Sequence, residues 1–266
     1  MAFSSQIYTS EVIINDDPAT MRHAQPPLGM STGLDLGLRG PGNYEYGEFA
    51  SPFPDELLIP RSEWQARIQE MEEQKSRTSD LIRLCQLPHK DQNGTNYCWI
   101  NAPTHCVEID RLQQNQRTVS LSPASAGAQI KGYRNVGGWG LEGLQWIIGK
   151  GLVPSSLWPD NAIDKKYATA DNLAIALDYR TDEWIECIPR NVEQMVSMLL
   201  RRAPGAAGLG WWSHEVTFCD AVWIDRAIAI RFRNSWKGYG DFGFSILQGS
   251  KMLADDLVFS LNARPT

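Results

Sequence analysis

Paired cysteines are missing from this sequence. It contains five cysteines, an odd number, at irregular spacings and without a Cys-x-x-Cys pair. Disulfide frameworks and structural zinc sites both need thiols in regular pairs, so the cysteine pattern argues against either. We therefore expect mostly free thiols, no metal site and a reducing compartment such as the cytoplasm.

Long apolar runs and positive charge are also scarce. No stretch approaches the roughly 20 apolar residues of a membrane-spanning helix, and the N-terminus lacks the basic start and apolar run of a signal peptide. The 25 Lys and Arg residues are outnumbered by 31 Asp and Glu residues, which gives a formal net charge of -6. Because nonspecific nucleic-acid binding needs a basic face, we expect no nucleic-acid partner, no membrane partner and no secretion directed by a signal peptide.

The composition is otherwise typical of a folded protein. Hydrophobic residues make up 42% and charged residues 21% of the 266 positions. A chain of this length can bury a sizeable core as one large domain or two small ones. The patterns described below divide it into four predicted parts: an arm at 1–60, a helix at 61–84, a helical lobe at 85–180 and a strand-rich lobe at 181–266.

The first 60 residues show no steady hydrophobic period. Gly and Pro interrupt them, as in QPPLG and LRGPGNYEYG, and acidic residues far outnumber Arg22 and Arg39. This texture predicts an extended acidic arm and not an independent fold. Such an arm is ordered only if the body of the chain or a partner chain holds it.

Helical patterns fill the middle of the chain, and β-rich runs fill its end. Residues 61–84 are rich in helix-forming residues, and their stripe of Trp64, Ile68 and Met71 is typical of a docking face. Further helices are expected from Cys98 to about Gln114, in GGWGLEGLQWIIGKG and in NVEQMVSMLLRR. Short β-rich runs such as AIAIRFRNSW follow Gly205. Helices followed by strands indicate an α+β fold with two lobes.

The stretch KDQNGTNYCWINA, residues 90–102, places Cys98 where a helix is predicted to begin. Unpaired backbone N–H groups and the positive end of the helix dipole both favour the thiolate, which is the nucleophilic form of cysteine. Cys98 is therefore a candidate nucleophile. A loop that leads into a core helix with a buried cysteine is the alternative interpretation.

A thiolate nucleophile needs a histidine beside it to share and deliver a proton. Of the four histidines, His23 lies in the arm and His89 in a polar loop. His105 lies two helical turns from Cys98, about 10 Å away and too far for a hydrogen bond. His214, where a strand is predicted to begin, is the remaining candidate.

An amide that could orient this histidine lies 20 residues downstream. Asn234 follows an apolar strand and precedes Ser235, Trp236 and a Gly-rich turn. A neutral amide can accept a hydrogen bond from imidazole and fix the ring orientation, and Trp236 could shield that bond from water. A plain β-turn is the alternative interpretation of the same residues.

Together these residues resemble the papain-like cysteine peptidases. The family pattern Gln-x-x-x-x-x-Cys-Trp matches Gln92 and Cys98-Trp99, His214 stands at the family's histidine, and RNSWKGYGDFGF is similar to its Asn-Ser-Trp block. The resemblance covers roughly residues 85–266. It implies a two-lobed α+β fold with a helical left lobe and an antiparallel, β-barrel-like right lobe. It also implies that Cys98, His214 and Asn234 are catalytic, and that the Gln92 side-chain amide stabilises the oxyanion.

The same resemblance implies where a polypeptide substrate binds. GGWGLEGLQWIIGKG is similar to the family's Gly-Gly stretch and the helix that follows it. By that likeness Gly137 and Gly138 pair with the substrate backbone, and Trp139 is an aromatic wall near the pocket for the residue before the cleaved one. With Trp236, these are the predicted substrate-binding residues. The chemistry requires no metal and no other cofactor.

The sequence departs from the family pattern at several positions. Thr95 and Asn135 stand where the family has two disulfide-bonded cysteines, which agrees with a reducing compartment. Ser213 precedes His214 where the family often has Asp or Asn. Pro103 falls inside the predicted helix and should kink or loosen its first turns.

Three functional hypotheses are consistent with the sequence. The leading one is a cysteine endopeptidase. The second is a papain-like structural or assembly component, for example of a virus particle, bound to partner chains through residues 1–60. The third is that the arm is an inhibitory segment that lies across the cleft.

Overall fold

The computed structural model describes residues 3–8, 10–39 and 49–263. Within these ranges it shows the mixed α+β fold expected from the sequence. Its α-helices are α1 Arg61–Glu73, α2 Thr78–Leu84, α3 Cys98–Gln113, α4 Pro123–Ile130, α5 Gly140–Lys150, α6 Ala170–Ala176 and α7 Val192–Leu200. Its strands are β1 Ile13–Ile14, β2 Ser51–Pro52, β3 Thr181–Glu186, β4 Gly205–Leu209, β5 His214–Ile224, β6 Ala227–Arg233, β7 Phe244–Gln248 and β8 Asp256–Ala263.

The eight strands form one sheet in the order β1-β7-β6-β5-β4-β8-β3-β2. All the inner pairings are antiparallel, whereas β1 with β7 and β2 with β3 are parallel. Both outermost strands come from the first 60 residues. The N-terminal region therefore covers the two edges of the sheet, where unpaired backbone groups would otherwise be exposed.

Two large hydrophobic clusters correspond to two lobes. One surrounds α3, with Trp99 and Ile100 at 0% exposure, and includes α4 and α5. The other packs α1 and α7 against the sheet, with Trp64 and Ile68 buried in it. The predicted stripe on 61–84 is thus a docking face, and it packs against the strand-rich lobe.

The stretch 61–84, predicted as a single helix, is two helices. Lys75 adopts a left-handed φ of 51°, which ends the first helix because a β-carbon disfavours this conformation within a helix. Asp80 then accepts the backbone N–H of Arg77 at 3.2 Å and starts the second helix. The charged, helix-forming residues of 61–84 favour a helix over the whole stretch, and their composition does not indicate a break at Lys75.

Helix α3 runs without interruption through Pro103. The short helices α4 and α6 were not predicted. None of the helices in the described ranges is both long enough and apolar enough to cross a bilayer.

The N-terminal residues 3–8 and 10–25, here called the anchor, are held by the body of the chain. Ile14 is fully buried, and the Arg231 guanidinium donates to the Glu11 carboxylate at 2.6 Å with both side chains inaccessible to solvent. The Ser5 backbone N–H donates to the Trp223 carbonyl at 2.6 Å. Contacts within the chain are therefore sufficient to order this part of the arm.

Candidate active site

The loop before α3 positions the Gln92 side chain from two sides. Asn93 adopts a left-handed φ of 49°, which Asn tolerates better than most residues, and the Thr95 N–H closes the turn on the Gln92 carbonyl at 3.0 Å. The Gln92 N–H donates to the Ser235 carbonyl at 2.8 Å, and the Ser235 hydroxyl donates to Gln92 Oε1 at 2.6 Å. Oε1 is thus held by Ser235, and Nε2 donates one hydrogen bond to the Thr95 carbonyl at 3.0 Å.

His214 and Asn234 meet as predicted from their residue types. His214 Nε2 lies 2.8 Å from Asn234 Oδ1, which also accepts the Ser235 N–H at 2.7 Å. The Trp236 ring stacks on the imidazole with centroids 4.5 Å apart and an interplanar angle of 23°. Because all these groups are buried, the hydrogen bond to the amide is shielded from water and the ring orientation is fixed.

Cys98 is the first residue of α3, and its side chain is buried. The backbone N–H groups of Glu215, Gly33 and Trp99 are close enough to its sulfur to lower the thiol pKa. Glu215 directly follows His214, so the sulfur lies beside the strand that carries the imidazole. Helix α3 and β5 are also joined by the Thr217 hydroxyl, which donates to the Ala102 carbonyl at 3.3 Å.

Burial keeps both reactive groups neutral in this structure. Burial, reinforced by the negative charge of Glu215, raises the Cys98 thiol pKa to about 12, despite three nearby N–H groups. Burial lowers the His214 pKa to about 4, opposed by its hydrogen bond to Asn234. His214 Nδ1 has no hydrogen-bond partner among the described residues. The structure therefore shows a thiol and a neutral imidazole, and not the charged pair that nucleophilic attack requires.

A second part of the arm, residues 30–36, here called the strap, lies in the groove between the lobes and brings its Gly33 N–H to the Cys98 sulfur. Its Ser31 carbonyl accepts from Gln92 Nε2 at 2.8 Å and from Trp236 Nε1 at 3.0 Å. Its Leu34 N–H donates to the Ser213 carbonyl at 3.2 Å. The strap thus crosses the groove and binds residues of both lobes.

The strap also forms a two-bond ladder with Gly138. The Gly138 N–H donates to the Gly33 carbonyl and the Asp35 N–H donates to the Gly138 carbonyl, both at 2.9 Å. Leu34 is thereby paired with Gly138 in a parallel bridge. Backbone pairing of this kind is how an extended peptide binds along a cleft.

Glycines make this close passage possible. A β-carbon at Gly33 would lie 2.1 Å from the Asn96 carbonyl oxygen, and one at Gly137 would lie 2.6 Å from the Gly33 carbonyl oxygen. A β-carbon at Gly138 would lie 2.5 Å from the Trp99 ring. Only glycine allows the strap and the wall of the groove to approach this closely.

The predicted site residues divide into those that contact the strap and those that do not. Contacts with the strap are made by Gln92, Cys98, Gly137, Gly138 and Trp236. His214 and Asn234 form a buried pair with each other, and the buried Trp139 donates to Asp256. The functional roles of all these residues are predictions. No group of three or more potential metal ligands occurs in the described ranges.

Two departures from the family pattern now have a structural description. Where a disulfide would tie the loops, Asn135 Oδ1 accepts the Asn96 N–H at 2.7 Å and Asn135 Nδ2 donates to the Gly94 carbonyl at 3.0 Å. Ser213 adopts a left-handed φ of 51°, a conformation that Asn and Asp adopt more readily.

Sequence reasoning missed three contributors to this site. The strap lies within an arm that has no periodic pattern, so its register in the groove could not be derived. Ser235 was named only as a neighbour of Asn234, although it orients Gln92. Glu215 was overlooked, yet an acidic residue beside the candidate histidine in a β-rich run is a signal that could have been used, because burying an unpaired carboxylate is costly.

No protein-family model and no curated protein sequence matches the chain. Among solved structures, xylellain, a cysteine protease from Xylella fastidiosa, has a TM-score of 0.61 at 14% identity, covering 90% of this chain and 97% of that one. Digestive procathepsin L 3 from the larval midgut of Tenebrio molitor has a TM-score of 0.57 at 17% identity, and the alignment spans 66% of each chain, just under two thirds. The ragweed pollen allergen Amb a 11, a cysteine protease solved in its proform, has a TM-score of 0.53 at 16% identity and covers 65% of this chain and 61% of that one.

These similarities establish the fold. The chain has the papain-like protease fold that the sequence resemblance implied. Identities of 14–17% leave the activity and the roles of individual residues open.

Proposed function

We propose that the protein is a cysteine endopeptidase held in a latent state by its own strap. The observation that supports this most directly is the occupied groove. Gln92, the candidate oxyanion donor, already binds a peptide carbonyl, that of Ser31, in a groove that also contains Cys98 and His214. The groove thus binds an extended polypeptide, and the groups that peptide hydrolysis requires surround it.

In the proposed reaction a substrate replaces the strap, and His214 Nδ1 takes the proton of Cys98. The sulfur then attacks the peptide carbonyl carbon and forms a C–S bond while the carbonyl oxygen gains negative charge. Gln92 Nε2 donates to that oxyanion. His214 returns its proton to the leaving amine as the C–N bond breaks, and then activates water to hydrolyse the thioester. Asn234 keeps the imidazole oriented throughout.

The strap itself is poorly placed for cleavage. It presents the N–H of Gly33 to the sulfur, and the thiol is protonated at neutral pH because its pKa is about 12. Two of the similar solved structures are precursor forms, a procathepsin and a proform. They support the interpretation of the N-terminal region as an inhibitory segment.

The test uses a Gly33→Val variant of the full chain. A side chain at this position would overlap the backbone of Asn96, so the strap should leave the groove while the anchor stays in place. We expect a peptidyl thiol-reactive inhibitor to label Cys98 in this variant and the variant to hydrolyse a protein substrate. In the same background, Gln92→Ala should lower kcat by about 100- to 1,000-fold.

The matched control is Gly149→Ala, since a β-carbon there meets no atom within 4 Å. It should leave the labelling rate of the wild-type chain unchanged. Folded Gly33→Val protein whose Cys98 reacts with a small alkylating agent but with no peptidyl inhibitor would contradict the proposal. Labelling that persists in Cys98→Ser would contradict it too.

The assembly hypothesis loses its main motivation. It was motivated by an arm that either the body of the chain or a partner chain must hold, and the body provides contacts for the anchor and the strap. The similar solved structures are proteases and give no support to a virus-particle role. A reducing compartment remains our proposal, based on the five free thiols.

A further inference from the structure

Three residues lie side by side across the sheet beneath the strap. In the register of the antiparallel strands, Gly208 of β4 is paired with Glu215 of β5 on one side and with Asp256 of β8 on the other. Side chains at paired positions project from the same face of a sheet. Because Gly208 has no side chain, a gap lies between two carboxyl groups.

The strap fills this gap with Leu34. A β-carbon at Gly208 would lie 3.4 Å from Leu34 Cδ2 and 3.1 Å from the Asp256 β-carbon. Leu34 is also the residue whose backbone is paired with Gly138. The side chain of whichever peptide residue occupies this position is therefore directed into the gap.

The Glu215 carboxyl group is buried, and one of its oxygens lacks a hydrogen-bond partner among the described residues. The residue is 2% exposed, and the oxygen without a partner is Oε2. Its carboxylate lies against Gly140, where a β-carbon would be 2.8 Å from Oε1. No Lys, Arg or His of the described ranges forms a salt bridge with it.

Asp256 forms the opposite side of the gap. The Trp139 indole N–H donates to its carboxylate, so this group is fixed in place. Burial, and after it the negative charge of Asp256, raise the Glu215 pKa well above its ordinary value. The charge of Glu215, when present, also raises the Cys98 pKa.

We propose that the gap over Gly208 is a specificity subsite for a basic side chain, Lys or Arg, whose cation lies between Glu215 and Asp256. This inference rests on the proposed peptidase function and names its substrate class: polypeptides with a basic residue at the position that pairs with Gly138. Such a cation gives a partner to Glu215 Oε2, which has none among the described residues. It also offsets the negative charge beside the Cys98 sulfur, so a basic substrate favours the thiolate.

The strap offers a test that needs no peptidase activity, because residue 34 is itself a tethered ligand of the subsite. We compare the alkylation rate of Cys98 by iodoacetamide, measured by mass spectrometry, in Leu34→Lys, Leu34→Glu and wild-type chains. Cys85 is an exposed thiol and serves as the internal reference in each reaction. Leu34→Lys should tighten the strap and slow Cys98 alkylation by about tenfold, whereas Leu34→Glu should accelerate it by a similar factor.

A second substitution tests whether Glu215 is responsible for the slower alkylation. In a Glu215→Gln background, the slowing of Cys98 alkylation by Leu34→Lys should be severalfold smaller. The matched surface substitution Glu56→Gln should leave this slowing unchanged. Equal acceleration by Lys and Glu at position 34, or protection that survives Glu215→Gln, overturns the inference.

Substrate preference separates this inference from the proposed function. Peptides that differ only at the subsite residue should be hydrolysed by Gly33→Val at least about tenfold faster with Lys or Arg than with Leu. Faster hydrolysis of the Leu peptide overturns the subsite. Hydrolysis of none of the peptides counts against the peptidase proposal, and the alkylation comparison then decides the subsite by itself.

Discussion

The anchor and the strap belong to the same N-terminal arm but are held by different forces. The anchor contributes an edge strand, a fully buried Ile14 and the buried Glu11–Arg231 ion pair. The strap is held by backbone hydrogen bonds to groove residues such as Gln92 and Gly138, and Leu34 is its one buried side chain. A buried charge cannot be withdrawn without large cost, whereas backbone groups that leave a groove are hydrated again.

Because of this difference, we expect the strap to leave the groove more readily than the anchor leaves the body of the chain. The connection between them is exposed, with Leu28 fully accessible to solvent. On the C-terminal side of the strap, Ala50 is buried and the Phe53 N–H donates to the Glu186 carbonyl at 3.0 Å. The strap is therefore tethered on both sides, which keeps its effective concentration at the groove high. Deletion of residues 1–60 as a whole would remove the anchor together with the strap. A change in activity could then come from the loss of the strap or from unfolding of the chain.

The largest effect is expected from breaking the anchor. Glu11→Ala leaves the Arg231 guanidinium buried and without its closest carboxylate, so the free energy of unfolding should fall by about 3 kcal/mol. Urea denaturation followed by tryptophan fluorescence measures this. The exposed pair formed by Glu63 and Arg67 is the control, and Glu63→Ala should cost less than about 0.5 kcal/mol. A similar loss for both variants would show that the anchor is not a buried structural element.

The strap should show the opposite pattern. Gly33→Val should lower the free energy of unfolding by less than about 2 kcal/mol, because it displaces groove contacts and withdraws a single buried side chain, Leu34, from the hydrophobic clusters. It should nonetheless raise the alkylation rate of Cys98 at pH 8 by at least about tenfold, since exposure of the sulfur returns the thiol pKa toward its ordinary value. A variant that is strongly destabilised, or whose Cys98 stays unreactive, would remove the distinction between anchor and strap.

The smallest expected effect is the pH dependence of the closed state, in which the strap occupies the groove. His214 has a pKa of about 4 beneath the strap and an ordinary value of 6.5. The displaced state therefore binds a proton more readily, and the closed state loses stability as the pH falls from 6.5 toward 4. Glu215 acts in the opposite direction because its pKa is raised when it is covered: its contribution favours closure at low pH and is lost as the pH rises.

The Glu215→Gln variant removes the titration of Glu215, so that the effect of His214 on the pH dependence of strap closure can be measured separately. In this variant, hydrogen exchange of the strap amides, corrected for the intrinsic pH dependence, should increase between pH 6.5 and 4, while the anchor amides stay protected. Exchange of the strap that is independent of pH in this chain would show that His214 does not titrate between open and closed states.

Much of the candidate site was predictable because local patterns encode the elements that carry it. Cys98 precedes a helical stretch and His214 begins a strand, and the structure has both elements where the sequence placed them. The helix expected from Cys98 to about Gln114 ends at Gln113. The break at Lys75 was not predictable, because charged helix formers on both sides give no local signal for a left-handed residue.

The sequence by itself determined which chemical groups are available: a cysteine at a helix start, a histidine, an amide to orient it and a glutamine upstream. These follow from residue type and local periodicity, which act over a few neighbouring positions. Only the tertiary structure decided that Leu34 covers Gly208 and that Glu215 and Asp256 flank it. Such contacts join residues far apart in the chain through strand register and the close approach of glycine backbones, and no local pattern of side chains records them.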